Sequence, residues 1–140
     1  RTKFFETKVK NLIKDLSLEK NVYIVEQVPY NLVWGILSKN TIGVIPFNKT
    51  PLTESCVPTK LFEMMASLDH IVASDLAPIR HFVDDSVFWF KPGDYKSLAR
   101  AIKSSIVSLK DDRKKIKNLN LVSTKYNWDV IENNYLNLFR

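Results

Sequence analysis

Short β-prone runs that alternate with stretches of helical periodicity constrain this chain more than any other feature. Val22 to Val25, Thr41 to Ile45, His70 to Ser74 and Val87 to Phe90 are such runs, and their apolar character reads as strands covered on both faces. Around them lie helical patterns. Phe5, Val9, Leu12, Ile13 and Leu16 recur at helical spacing between lysines from Lys3 to Leu16, and Pro29 to Ser38 is helical in character. Further helices are expected from about Pro58 to Leu68 with the proline at the first helical position, over Pro78 to Val83, after an N-cap at Asp94, and from about Asp111 and Asp129. Strands alternating with helices imply an α/β fold with a mostly parallel sheet and helices on both faces. No repeat, linker or low-complexity stretch divides it, so residues 1–140 read as a single domain.

Composition narrows the function. At 140 residues the chain can bury one core. No apolar run reaches transmembrane length, and the first ten residues lack the apolar centre of a signal peptide. The single cysteine, Cys56, excludes an internal disulfide framework and fits a reducing, cytoplasmic setting. The chain opens on Arg1 and reads as a fragment or a processed segment. Twenty-one Lys and Arg against fifteen Asp and Glu give +6, a balance that favours phosphate-bearing partners or peripheral attachment to the inner face of an anionic membrane. Much of the excess sits in Lys110, Arg113, Lys114, Lys115 and Lys117, with Asp111 and Asp112 among them, which reads as a solvated helix face. No aromatic-basic signature accompanies it, so nucleic acid is not an expected partner.

Several kinds of chemistry lack their residues. Three glycines form neither Gly-x-Gly-x-x-Gly nor a P-loop. His70 and His81 have no zinc-ligand spacing, so no metal is expected. Ser55 and Cys56 have no histidine nearby in sequence to activate a nucleophile. Trp34, Trp89, Trp128, Met64 and Met65 read as packing residues.

Parallel sheets bind ligands beyond the carboxyl ends of their strands, which selects Glu26 to Tyr30, Phe47 to Val57, Asp75 to Ile79 and Lys91 to Gly93. Within the helix after the second of these, Thr59, Glu63 and Ala66 or Ser67 form a narrow polar stripe among Leu61, Phe62, Met64, Met65 and Leu68. A carboxylate there needs a partner. A ribose diol is one, with a diphosphate at the helix N-terminus; a lysine or arginine on a neighbouring element is the other.

The run Ser55-Cys56-Val57-Pro58-Thr59-Lys60-Leu61-Phe62-Glu63-Met64-Met65-Ala66, followed by Ile71 to Asp75, Arg80 and Val83, resembles the donor-site block of family-4 retaining glycosyltransferases. Val22 to Pro29, Thr41 to Pro46, Lys91 to Asp94 with Leu98, Ala99 and Ile102, and Lys125 to Trp128 with Tyr135 extend the likeness over nearly the whole chain. The resemblance implies a Rossmann-like domain, the C-terminal half of a GT-B architecture, that binds a UDP-, GDP- or ADP-linked sugar as substrate and requires no metal or other cofactor. By the same likeness Glu63 holds the ribose, and main-chain groups near Pro58, Thr59 and Lys60 receive the diphosphate. Gln27 and Val28 meet the base. The family's sugar-contacting glutamate falls at Ser55, with Glu54 one position earlier as the substitute. The upstream Arg and Lys contacts and the acceptor domain would lie before Arg1, so catalysis is expected of a longer protein acting in polysaccharide or glycolipid assembly. Leu68 and His70 stand where relatives carry Gly and Pro, so the helix-to-strand turn is expected to be built differently. Three other readings stay open: a sugar-nucleotide epimerase of the same architecture, a scaffold domain that has kept only the fold, and an oligonucleotide binder using the Lys110 to Lys117 face.

Overall fold

A computed structural model describes residues 3–39, 42–83 and 85–139. The elements are α1 (Lys3–Asp15), α2 (Tyr30–Leu37), β1 (Ile42–Ile45), α3 (Thr59–Ala66), β2 (His70–Ser74), α4 (Ala77–Arg80), β3 (Phe88–Phe90), α5 (Tyr95–Val107), α6 (Arg113–Lys125) and α7 (Trp128–Leu136), with a 3₁₀ turn over Asn137–Phe139. Among the described residues three strands form a parallel sheet in the order β1-β2-β3. Val44 lies opposite Val72, which in turn lies opposite Phe88.

Strand periodicity divides the core into two layers. Ile45, Ile71 and Ala73 join Leu61 and Met65 of α3, Ile79 of α4 and Val83, with Leu121, Val122 and Tyr126 from the α6 side packed against them. Val72 and Phe90, with Ile42, Val44 and Phe88, pack instead against Leu98, Ala101 and Ile102 of α5. Successive side chains of one strand thus feed opposite layers, and helices cover both faces as the sequence pattern predicts. Leu61 and Met65 are fully buried, each contributing about 2–3 kcal/mol of hydrophobic stabilisation. Phe62, Phe82 and Tyr126 close the α3–α6 contact as an edge-to-face triangle with centroids 5.2 to 5.6 Å apart.

Some expectations are corrected. Val22 to Val25 forms no strand, and Val22, Tyr23 and Val25 are exposed. A β-prone run becomes a strand only with a face to bury as well as a ladder, and Val22, Tyr23 and Val25 lie exposed. Thr41 lies outside the described residues, and β1 begins at Ile42. Pro58 is the extended N-cap of α3 (φ −71°, ψ 129°) rather than its first helical residue. The turn that follows α3 is less unusual than its sequence suggests. Leu68 adopts φ +59°, the left-handed position normally left to glycine, at a backbone cost of about 1–2 kcal/mol.

Candidate functional site

The segment from β1 to α3 is braced by its own side chains. Buried Ser74 donates from Oγ to the Phe47 carbonyl (2.6 Å) at the carboxyl end of β1. Thr53 Oγ1 accepts the Thr50 N–H at 2.9 Å and donates to the Asn48 carbonyl at 2.6 Å. Ser55 Oγ is committed to the Pro51 carbonyl at 2.8 Å. Glu54 pairs with Lys49 at 3.1 Å.

Helix α3 then begins without a side-chain cap. The Leu61 N–H bonds back to the Pro58 carbonyl at 3.0 Å, while the Thr59 and Lys60 N–H groups have no partner among the described residues. Open first-turn amides and the positive end of the helix dipole make such a terminus receptive to an anion. With Leu61 and Met65 turned into the core, Thr59 and Glu63 fall on the opposite side of the helix. Glu63 is half-buried, and no hydrogen bond or ion pair engages its carboxylate among the described residues. The lysine or arginine partner that the sequence leaves open is therefore not found there.

Pro58, Thr59, Lys60 and Glu63 thus share one short stretch, with Ser55 and Glu54 in the loop that feeds it. Gln27, which is exposed, and half-buried Val28 lie on the separate segment before α2. No hydrogen bond or ion pair among the described residues ties them to α3.

A second feature of the crevice has only a faint sequence signal, an Asp and an Arg five residues apart across a strand end. Asp75 and Arg80 form a bidentate pair, with the second contact at 2.8 Å, and the guanidinium stacks 4.4 Å over Trp89. That hydrogen bonding holds the Asp75 carboxyl below its ordinary range and raises Arg80. Beside them Lys49, Lys91, Phe90, Pro92 and Ser97 help line a cleft of about 420 Å³ at the strands' carboxyl ends.

The basic cluster of α6 is largely paired. Arg113 meets Asp111, Lys115 meets Asp112 and Lys117 meets Asp85. Among the described residues no group of three or more His, Cys, Asp or Glu is arranged to hold a metal ion, and no helix is long and apolar enough to cross a membrane.

A parallel sheet covered on both faces, with an open helix terminus beyond a strand's carboxyl end, defines a Rossmann-like α/β domain. The family model for glycosyl transferases group 1 matches residues 5–120, and the chain belongs to that family. Sucrose-phosphate synthase from Thermosynechococcus elongatus superposes with a TM-score of 0.82 over 96% of this chain at 22% identity, a likeness of fold. The chain covers 33% of that protein, about a third of its length. No curated protein matches the chain in sequence.

Proposed function

We propose that this domain binds the nucleoside diphosphate of a sugar donor for a retaining, family-4 glycosyltransferase whose acceptor domain lies elsewhere in a longer protein. The observation that carries the reading is the unpaired, half-buried carboxylate of Glu63, one turn beyond the open amides of Thr59 and Lys60. Two ribose hydroxyls donate to the carboxylate, and the diphosphate takes the amides with Lys60 adding a point charge. Gln27 and Val28 supply main-chain groups to the base. Stabilisation of the leaving diphosphate by the helix terminus and cations supplies the electrostatic part of catalysis without a metal. The full protein then passes the sugar to a saccharide or lipid-linked acceptor at the cytoplasmic side of the membrane.

One observation favours a binding or scaffold domain without transferase activity. Ser55 and Glu54, the two candidates for the sugar contact, are committed to Pro51 and Lys49.

Calorimetric titration of the chain with UDP, GDP and ADP tests the donor reading. One nucleotide binds, and Glu63→Ala weakens it about 10- to 100-fold, the worth of charge-assisted hydrogen bonds at about 1.5–3 kcal/mol. Binding that ignores Glu63→Ala, or absence of binding to all three, leaves the fold without the function.

A further inference from the structure

The cleft at the strands' carboxyl ends gathers hydrogen-bond donors around a carboxylate that is already engaged. Its lining comes from the β1–α3 loop, the ends of β2 and β3 and the first turn of α5 rather than from α3. Both Asp75 oxygens accept from Arg80, the second at 2.8 Å, and the guanidinium is held 4.4 Å over the Trp89 ring. That pair is neutral as a unit and offers an incoming ligand no free carboxylate. Lys91 has no anionic partner among the described residues. The turn that carries it is closed by the Asp94 N–H on the Lys91 carbonyl at 3.1 Å, with Gly93 left-handed at φ +76°, so the rim is set before any ligand arrives. Ser97 Oγ accepts the Lys91 N–H at 3.1 Å and donates to nothing among the described residues, which leaves its proton available.

Lys49 completes the set. Its Nζ stands 3.1 Å from Glu54 Oε1, with the two side chains 67% and 46% exposed. An ion pair so open to water contributes little, so an anion in the cleft can compete for the lysine. Two ammonium groups and a hydroxyl proton complement an oxyanion with several terminal oxygens and more than one charge. A carboxylate has two such oxygens and one charge, whereas a phosphate monoester has three and close to two. The cleft's 420 Å³ leaves room for the carbon skeleton that the phosphate is attached to, against Trp89 and Pro92.

We propose that this cleft binds a phosphate monoester through Lys91, Lys49 and Ser97, and that its occupancy draws Lys49 off Glu54. Glu54, one of the two candidates for the donor-sugar contact, is then released for that role; this last step rests on the donor-binding reading above, whereas the phosphate site does not.

The test titrates the 140-residue chain with inorganic phosphate, ionic strength being held constant with chloride, and follows backbone amide resonances by NMR. Saturable shifts are expected over residues 91–97. Lys91→Gln weakens the binding about tenfold, the loss of one charge-assisted hydrogen bond, while Glu54→Gln, which frees Lys49, tightens it about two- to fivefold. Shifts confined to Thr59 and Lys60, which put the anion at the α3 terminus instead, overturn the site, as do shifts that chloride reproduces or an affinity indifferent to Lys91→Gln. An affinity unchanged by Glu54→Gln overturns the release of Glu54. Failure of the donor reading looks different: nucleotide binding ignores Glu63→Ala while phosphate still shifts residues 91–97.

Discussion

Gly43 has no side chain because Met64 occupies the place of one. A Cβ built on Gly43 would stand 2.5 Å from Met64 Sδ, 2.9 Å from Cγ and 3.2 Å from Cε. Three successive positions of one side chain are contacted, so Met64 must swing as a whole in Gly43→Ala. Overpacking of this kind costs about 1–3 kcal/mol, and methionine's three rotatable bonds place the cost in the lower half of that range. Removal of glycine's freedom in the unfolded chain returns about 0.4–1 kcal/mol. The net expectation is a loss of at most about 1.6 kcal/mol, measured by urea unfolding as a lower midpoint at unchanged slope. A double-mutant cycle with Met64→Ala adds a second check. The two changes together cost less than their sum by about 1 kcal/mol or more, because truncated Met64 no longer meets the new methyl. Strictly additive costs in that cycle refute the account.

Two further outcomes follow from side-chain hydrogen bonds. Asp94 accepts the Ser97 N–H at 2.9 Å as the N-cap of α5, so Asp94→Ala lowers stability by about 1 kcal/mol in thermal unfolding while Asp94→Asn keeps most of it. Buried Asn118 accepts from Ser86 Oγ at 2.5 Å and donates to the Ser86 carbonyl at 3.3 Å; Asn118→Leu therefore costs about 1–3 kcal/mol in equilibrium unfolding, and an unchanged midpoint removes this contact from the account of how α6 is fastened to the residues before β3.

Elements whose sequence pattern and tertiary surroundings agree were legible in the chain itself. His70 to Ser74 reads as a fully covered strand and is one, and the Asp94 cap appears where its turn predicts. Val22 to Val25 shows the limit of such reading, since composition reports a preference for extended backbone and says nothing of whether the side chains find a face to bury. Glu63 stood out because a carboxylate interrupts an apolar helix, and the structure adds that no described cation meets it. The commitment of Glu54 to Lys49 depends on how the loop between β1 and α3 curls, which periodicity does not encode. Asp69 was invisible for the opposite reason: an aspartate beside a helix end reads as a turn residue, and only packing shows that it is sealed. Leu68 breaks a local rule in plain view: it is exposed and left-handed, and the Asp69 N–H closes the turn around it on the Met64 carbonyl at 3.3 Å.

The self-braced run from Phe47 to Ser55 has a consequence for how anything could act on α3. Its hydroxyls close on its own carbonyls, and its Phe47 carbonyl accepts from Ser74 Oγ, so the chain arrives at Pro58 as a braced strut rather than a tether. A ligand reaching the helix terminus would meet a surface whose ordering was completed during folding, and its binding would carry no added cost for ordering this loop. A displacement of β1 would likewise reach α3 undamped, because little slack lies between them to absorb it.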